Sequence, residues 1–124
     1  KMYAIEFYED SNGVSDVWNL LEKLRIDSSH NKDARIQYKQ VGLCIQLLQD
    51  YGTRASSDIT KYIGDGIWEL RPGSNRVLYF YFENNTFILL HHFRKKTQKT
   101  PKREVEKAKS ERNDYIQRKE HSAL

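Results

Sequence analysis

The sequence has little of what most often announces a site. It holds one cysteine, Cys44, in 124 residues. A single thiol closes no internal disulfide and offers no cysteine pair to zinc, and it fits a reducing compartment. Cys44 lies among Leu43, Ile45 and Leu47 on a helical stretch, where it reads as a packing residue. There is no Gly-x-Gly-x-x-Gly and no Walker loop, so nucleotide-cofactor binding is unsupported and no cofactor is expected. No apolar run approaches ~18 residues, so no membrane span is expected. No apolar leader follows Lys1-Met2-Tyr3, and the expected location is the cytoplasm. No carboxylate cluster suits two-metal phosphoryl chemistry. The adjacent His91 and His92 point to opposite faces of a strand and cannot chelate one ion together, so no metal site is expected.

What is present is a globular composition, with 38% hydrophobic and 12% aromatic residues. The length predicts one domain over residues 1–124, with a frayed tail over 120–124. The net charge of +4 is unevenly spread. Residues 94–119 hold 11 of the 21 Lys+Arg and 4 of the 17 Asp+Glu, which is +7 against −3 for the remainder. Such asymmetry points to an anionic partner, nucleic acid first.

Residues 67–96 organise the chain. Strands are predicted over 67–71, 76–82 and 86–93, rich in β-branched and aromatic residues. Pro72-Gly73-Ser74-Asn75 and Glu83-Asn84-Asn85 form the turns between them, giving an antiparallel meander. Before it, residues 3–8 alternate as a strand. Val14, Val17, Trp18, Leu21 and Leu24 recur at helical spacing, predicting a helix over 15–25 capped near Ser15. Ala34, Tyr38, Val41, Ile45 and Leu48 mark a second helix over 32–49, stopped by Gly52. Residues 53–66 read as a loop with one apolar piece, Tyr62-Ile63. Thr100 and Pro101, as cap and first residue, open a last helix that is densely basic. The fold class is α+β in the order β-α-α-β-β-β-α: a small, twisted, mainly antiparallel sheet, a helical hairpin and a basic C-terminal helix.

Cations gather at the strand ends: Arg71 and Arg76 flank one turn, and Arg94, Lys95 and Lys96 follow the last strand. Fixed cations on a rigid sheet suit a polyanion, and Arg71, Arg76, Lys95 and Lys96 fit phosphate binding at a scissile phosphodiester. The alternative is edge-strand charge that blocks sheet pairing. Arg76 shares a face with Leu78, Phe80 and Phe82, and Phe80, Phe82, Phe87, Leu89 and Leu90 are core candidates. His91 or His92 has the chemistry of an acid or base. His91 has the parity of Phe87 and Leu89 and His92 that of Ile88 and Leu90. Parity does not choose between them; His92 stands in the candidate set.

Four stretches carry a family resemblance. They are Trp68-Glu69-Leu70-Arg71, Arg76-Val77-Leu78-Tyr79-Phe80-Tyr81, and residues 89–101 from Leu89-Leu90-His91-His92 to Lys99-Thr100-Pro101. The fourth is the set Glu104, Ala108, Arg112 and Tyr115. Together they resemble the HigB branch of the RelE/ParE toxin superfamily, strongly over 67–115 and in element order over 3–52. The resemblance implies a RelE-like fold and the toxin of a bacterial type II toxin–antitoxin module. The implied activity is that of a metal-independent, ribosome-dependent mRNA endoribonuclease working in the ribosomal A site. The implied partners are mRNA, small-subunit rRNA and a HigA-type helix-turn-helix antitoxin, with operator DNA reached only through the antitoxin. By motif position Arg76 matches a family arginine, Lys95 or Lys96 a second basic residue, and Arg71 a phosphate ligand. RelE-type enzymes carry lysines on the strand that here reads Ile67-Trp68-Glu69, so the base is open among Glu69, a histidine and Lys61. Lys61, Arg94, Lys99, Lys102 and Lys107 make up the expected RNA-binding set. A ParE-like gyrase inhibitor and a basic RNA-binding module without cleavage are the alternatives.

Overall fold

The structure is a computed structural model that describes residues 1–122. Among the described residues nine elements occur in order: β1 (Ala4–Phe7), α1 (Asp16–Asp27), α2 (Lys32–Tyr51), a 3-10 turn (Gly52–Arg54), β2 (Thr60–Gly64), β3 (Ile67–Leu70), β4 (Asn75–Tyr81), β5 (Thr86–Arg94) and α3 (Lys102–Ser122). The fold is α+β. One five-stranded sheet runs β1-β5-β4-β3-β2, with β1 parallel to β5 and all other neighbours antiparallel.

Helices cover both faces. Val17 of α1 and Cys44 and Leu48 of α2 pack on Leu70, Val77, Tyr79, Phe87 and Leu89. Ala108 and Tyr115 of α3 pack on Ile67, Leu78, Phe80, Ile88 and Leu90 from the other side. A strand covered on both faces must be apolar at successive positions, which explains the unbroken run in β4 and β5. Cys44 is buried at 4% exposure, and burial pushes its thiol pKa up, as suits a packing residue. No helix among the described residues is long and apolar enough to cross a membrane.

Local chemistry sets the boundaries. The Ser15 hydroxyl accepts from the Trp18 amide, and Asn31 does the same for Ala34. The Pro72-Gly73 turn closes through the Asn75 amide on the Pro72 carbonyl, with Gly73 at φ +59. A Cβ at Gly73 would meet only the movable end of the Gln40 side chain, so the positive φ is what favours glycine there.

Two expectations are corrected. Residues 60–64 form a strand, β2, paired with β3 in the register Lys61↔Glu69. The Asp65-Gly66 turn, with φ +54 and +80, joins them. Thr100 does not cap α3. The Pro101 carbonyl accepts from the amides of Glu104 and Val105, and the Thr100 hydroxyl is used elsewhere. Of the tail expected to fray, residues 120–122 are placed in α3, which runs to Ser122, and residues 123–124 lie outside the described residues.

A bulge interrupts the pairing of β4 with β5. Leu78 pairs with His91 but Tyr79 pairs with Leu89, leaving Leu90 as the extra residue. Leu90 and His91 both face α3, and the parity of every later residue in β5 is inverted.

Candidate functional site

β3 carries a carboxylate into the sheet interior. Glu69 is 2% exposed, on the α3 face, between Lys61 of β2 and Leu78 of β4 in register. A buried carboxylate is costly unless donors surround it. Here Oε1 accepts from the Thr100 hydroxyl at 2.6 Å and Oε2 from Arg71 Nε at 3.2 Å, while Arg76 Nε stands 3.8 Å from Oε2. Arg76 is itself only 9% exposed, and its Nη1 donates to the carbonyls of Gly73 at 2.8 Å and Asn75 at 2.9 Å. Burial lowers the Arg76 pKa from its ordinary value; Glu69 opposes that shift and Arg71 adds to it. A guanidinium stays charged regardless. Arg71 Nη1 donates to the Ser57 carbonyl at 3.2 Å. Each guanidinium is thus anchored at one end by backbone and turned at the other toward one carboxylate.

The carboxylate lies at the floor of a groove of about 610 Å³ between the β2–β3 hairpin and the start of α3. Lys61 and Tyr62 form one wall, and Lys99, Thr100 and Lys102 the other. A smaller cleft continues from Glu69 past Arg76 to Lys95 and Lys96. The interior is a fixed anion flanked by two fixed guanidiniums, and the rim is cationic. Such a site can hold a phosphodiester, take a proton and stabilise growing negative charge.

The family model described as "Phage derived protein Gp49-like" matches residues 24–113, a span that includes the whole groove. The chain belongs to this Gp49-like family. It is a RelE/HigB-type toxin family, and the chain is accordingly a toxin of the toxin–antitoxin kind, with an antitoxin as partner. None of the curated proteins compared matches it. Among solved structures, the YoeB dimer from Staphylococcus aureus is similar at a TM-score of 0.47 and 12% identity, over 78% of this chain and 100% of that one.

In the Gp49-like chain, Glu69, Arg71, Arg76, Lys61, Lys95, Lys96, Lys99 and Lys102 all line the groove or its cleft. Three candidates fall elsewhere. His92 is a correction forced by the bulge, because its side chain lies on the α1–α2 face of the sheet. There its Nδ1 is 2.6 Å from Asp16 Oδ2, which also accepts its amide at 2.7 Å. Burial alone would raise the Asp16 carboxyl, but the hydrogen bonds from His92 outweigh it and hold the carboxyl below its ordinary range. Arg94 also turns to that face, donating to Gln37 Oε1 at 3.2 Å. Lys107 sits on α3 outside the groove lining. His91 does face α3, but at 1% exposure it lies between Glu111 Oε1 at 2.5 Å and Glu104 Oε1 at 3.0 Å. It ties α3 to the sheet. No group of three His, Cys, Asp or Glu among the described residues could hold a metal ion.

Sequence reasoning passed over Thr100 and Tyr62. Thr100 precedes a proline at a helix start, where a capping role hides its tertiary bond. Tyr62 was visible only as an apolar residue in a loop; its ring packs 5.0 Å from Trp68 and its hydroxyl accepts from the Gly66 amide.

Proposed function

We propose that this Gp49-like toxin is a ribosome-dependent mRNA endoribonuclease acting in the cytoplasm, neutralised by a HigA-type helix-turn-helix antitoxin. The observation that carries the proposal is the Glu69 carboxylate held between Arg71 and Arg76 at the floor of a lysine-rimmed groove.

The chemistry needs no bound metal. Glu69 takes the proton from an RNA 2′-hydroxyl, and the freed oxygen attacks the adjacent phosphorus. The P–O5′ bond breaks, leaving a 2′,3′-cyclic phosphate on one fragment. The departing 5′-oxygen takes a proton from a rim ammonium and becomes a 5′-hydroxyl. Arg71 and Arg76 face the charge that grows on the non-bridging oxygens, a role worth roughly 10²–10³ in rate per donor. General-base action by Glu69 adds roughly 10²–10⁴. The strand that carries lysines in RelE-type enzymes has none here. Lys61, in register with Glu69 from the next strand, brings an ammonium to the same part of the sheet. Lys99 and Lys102 supply further contacts to the RNA backbone.

Primer extension on cellular mRNA after induction tests the reading. Discrete cuts within translated regions are expected, abolished by Glu69→Gln and by Arg71→Ala and suppressed by the co-expressed antitoxin. Growth arrest with intact mRNA and poisoned gyrase would transfer the protein to the gyrase-inhibitor class instead.

A further inference from the structure

Glu69 and Thr100 lie 31 positions apart and meet only through the fold, one in β3 and one just before α3. Their bond has a fixed direction, because an ionised carboxylate only accepts and the hydroxyl must donate. The two carboxylate oxygens are treated unequally. Oε2 faces two guanidiniums, Arg71 at 3.2 Å and Arg76 at 3.8 Å, which compete with any proton for its lone pairs. Oε1 meets a neutral hydroxyl, and an oxygen with two lone pairs keeps one free after that bond. Oε1 is therefore the better proton acceptor of the two.

Resting on the reading of Glu69 as base, we propose that Thr100 is a positioning residue for RNA cleavage: its hydroxyl holds the Glu69 carboxylate so that Oε1, rather than Oε2, meets the substrate hydroxyl. Arg71 and Arg76 pull the other way. A carboxylate released from Thr100 can turn and give both oxygens to the guanidiniums, the stronger paired geometry, and is then withdrawn as a base. The hydroxyl is delivered from a pinned segment. The Lys95 amide donates to the Ser74 carbonyl at 2.8 Å at one end, and at the other the Pro101 carbonyl, just before α3, accepts from the Glu104 amide at 3.0 Å. Between them the Thr97 hydroxyl donates to the Lys99 carbonyl at 2.8 Å. Thr100 lines both the groove and the cleft, at the seam between them.

The test measures kcat and KM for mRNA on programmed ribosomes, with melting curves for every variant. Thr100→Val removes the hydroxyl at constant shape, and Thr100→Ala does so without crowding the loop. Both should lower kcat about 10- to 100-fold, the scale of a misplaced catalytic group, while KM stays within about twofold. Thr100→Ser, which keeps the donor, should recover most of the rate. In a Glu69→Gln background, Thr100→Val should cost nothing further, because a positioning residue acts through its partner. Wild-type kcat in Thr100→Val and Thr100→Ala overturns the proposal, as does a Thr100→Ser as slow as Thr100→Val. So does a raised KM at constant kcat, which marks a substrate contact. Glu69→Gln separates the two levels: slow Glu69→Gln beside unimpaired Thr100→Val removes Thr100 alone, whereas fully active Glu69→Gln removes the base itself and Thr100 with it.

Discussion

Consider Arg76→Ala. The side chain lies in the cleft beside Glu69, yet the same guanidinium braces the turn, donating to the Gly73 and Asn75 carbonyls while 9% exposed. Hydrogen bonds from a charged donor contribute ~1.5–3 kcal/mol each. Truncation removes two and leaves Glu69 with Arg71 and Thr100 alone. Water entering from the cleft restores part of the loss, so the net cost should be about 2–4 kcal/mol. In a domain of this size each kcal/mol moves the midpoint by about 3–5 °C, which puts the expected fall in Tm at roughly 6–20 °C. Cleavage should drop by a further factor of about 10²–10³ when measured well below the lowered midpoint. A double-mutant cycle with Glu69→Gln separates brace from ion pair. If the 3.8 Å pair is coupled, the double variant should be less destabilised than the sum by about 1–2 kcal/mol. Urea melts of the four proteins give that number directly. Additivity within ~0.5 kcal/mol would refute the coupling, and an Arg76→Ala protein with an unchanged midpoint would refute the brace.

Three other perturbations probe separate parts of the molecule. The Asp16 carboxyl has a folded-state pKa below its ordinary 3.8, so its stabilisation is fully present above that value and is lost as pH falls through the lowered one. Asp16→Asn should flatten the fall of the urea midpoint between about pH 5 and pH 2, and an unchanged slope would take Asp16 off the acid-sensitive list. RNA binding should weaken with salt, and Lys99→Ala or Lys102→Ala should each reduce the log–log slope by up to about 0.7 where a phosphate is contacted. Lys107→Ala should leave that slope alone; an equal loss at Lys107 would mean that the footprint runs along α3 rather than the groove. His91→Ala strips the shared hydrogen-bond partner from Glu104 and Glu111 and should cost about 2–3 kcal/mol, read by thermal melting, whereas a loss under ~1 kcal/mol would show that α3 does not depend on it.

Much of the fold was legible because local and tertiary signals agree. The Ser15 cap, the Gly52 stop and the two meander turns occur where residue chemistry requires them, and Gly73, Asn84 and Asn85 all adopt the positive φ that their types tolerate. β2 escaped because it is an edge strand whose Lys61 and Tyr62 are exposed, so no apolar run marks it. Its readable signal was the Asp65-Gly66 turn rather than its strand residues. The Thr100 hydroxyl was misread for the opposite reason: a strong local role at a helix start concealed a tertiary one.

The site was legible residue by residue but not as a constellation. Parity along one strand puts Arg76 with Leu78 and Phe80, and the structure agrees. Parity failed in β5 because Leu90 bulges out of the pairing, which sends His91 to α3 and His92 to Asp16. One extra residue inverts every side chain after it, and only the partner strand reveals it. The same dependence hid the centre of the site. In the sequence Glu69 is one of several open choices for the base, with nothing to place it between Arg71, Arg76 and Thr100. β3 lies between β2 and β4, so its carboxylate protects no sheet edge. An interior strand gains nothing from a charge that must be desolvated. What remains is a carboxylate that accepts from Thr100 and Arg71 and stands 3.8 Å from Arg76, three partners from three separate segments. An apolar residue at position 69 would pack there with none of that support, which is the physical ground for reading the arrangement as functional.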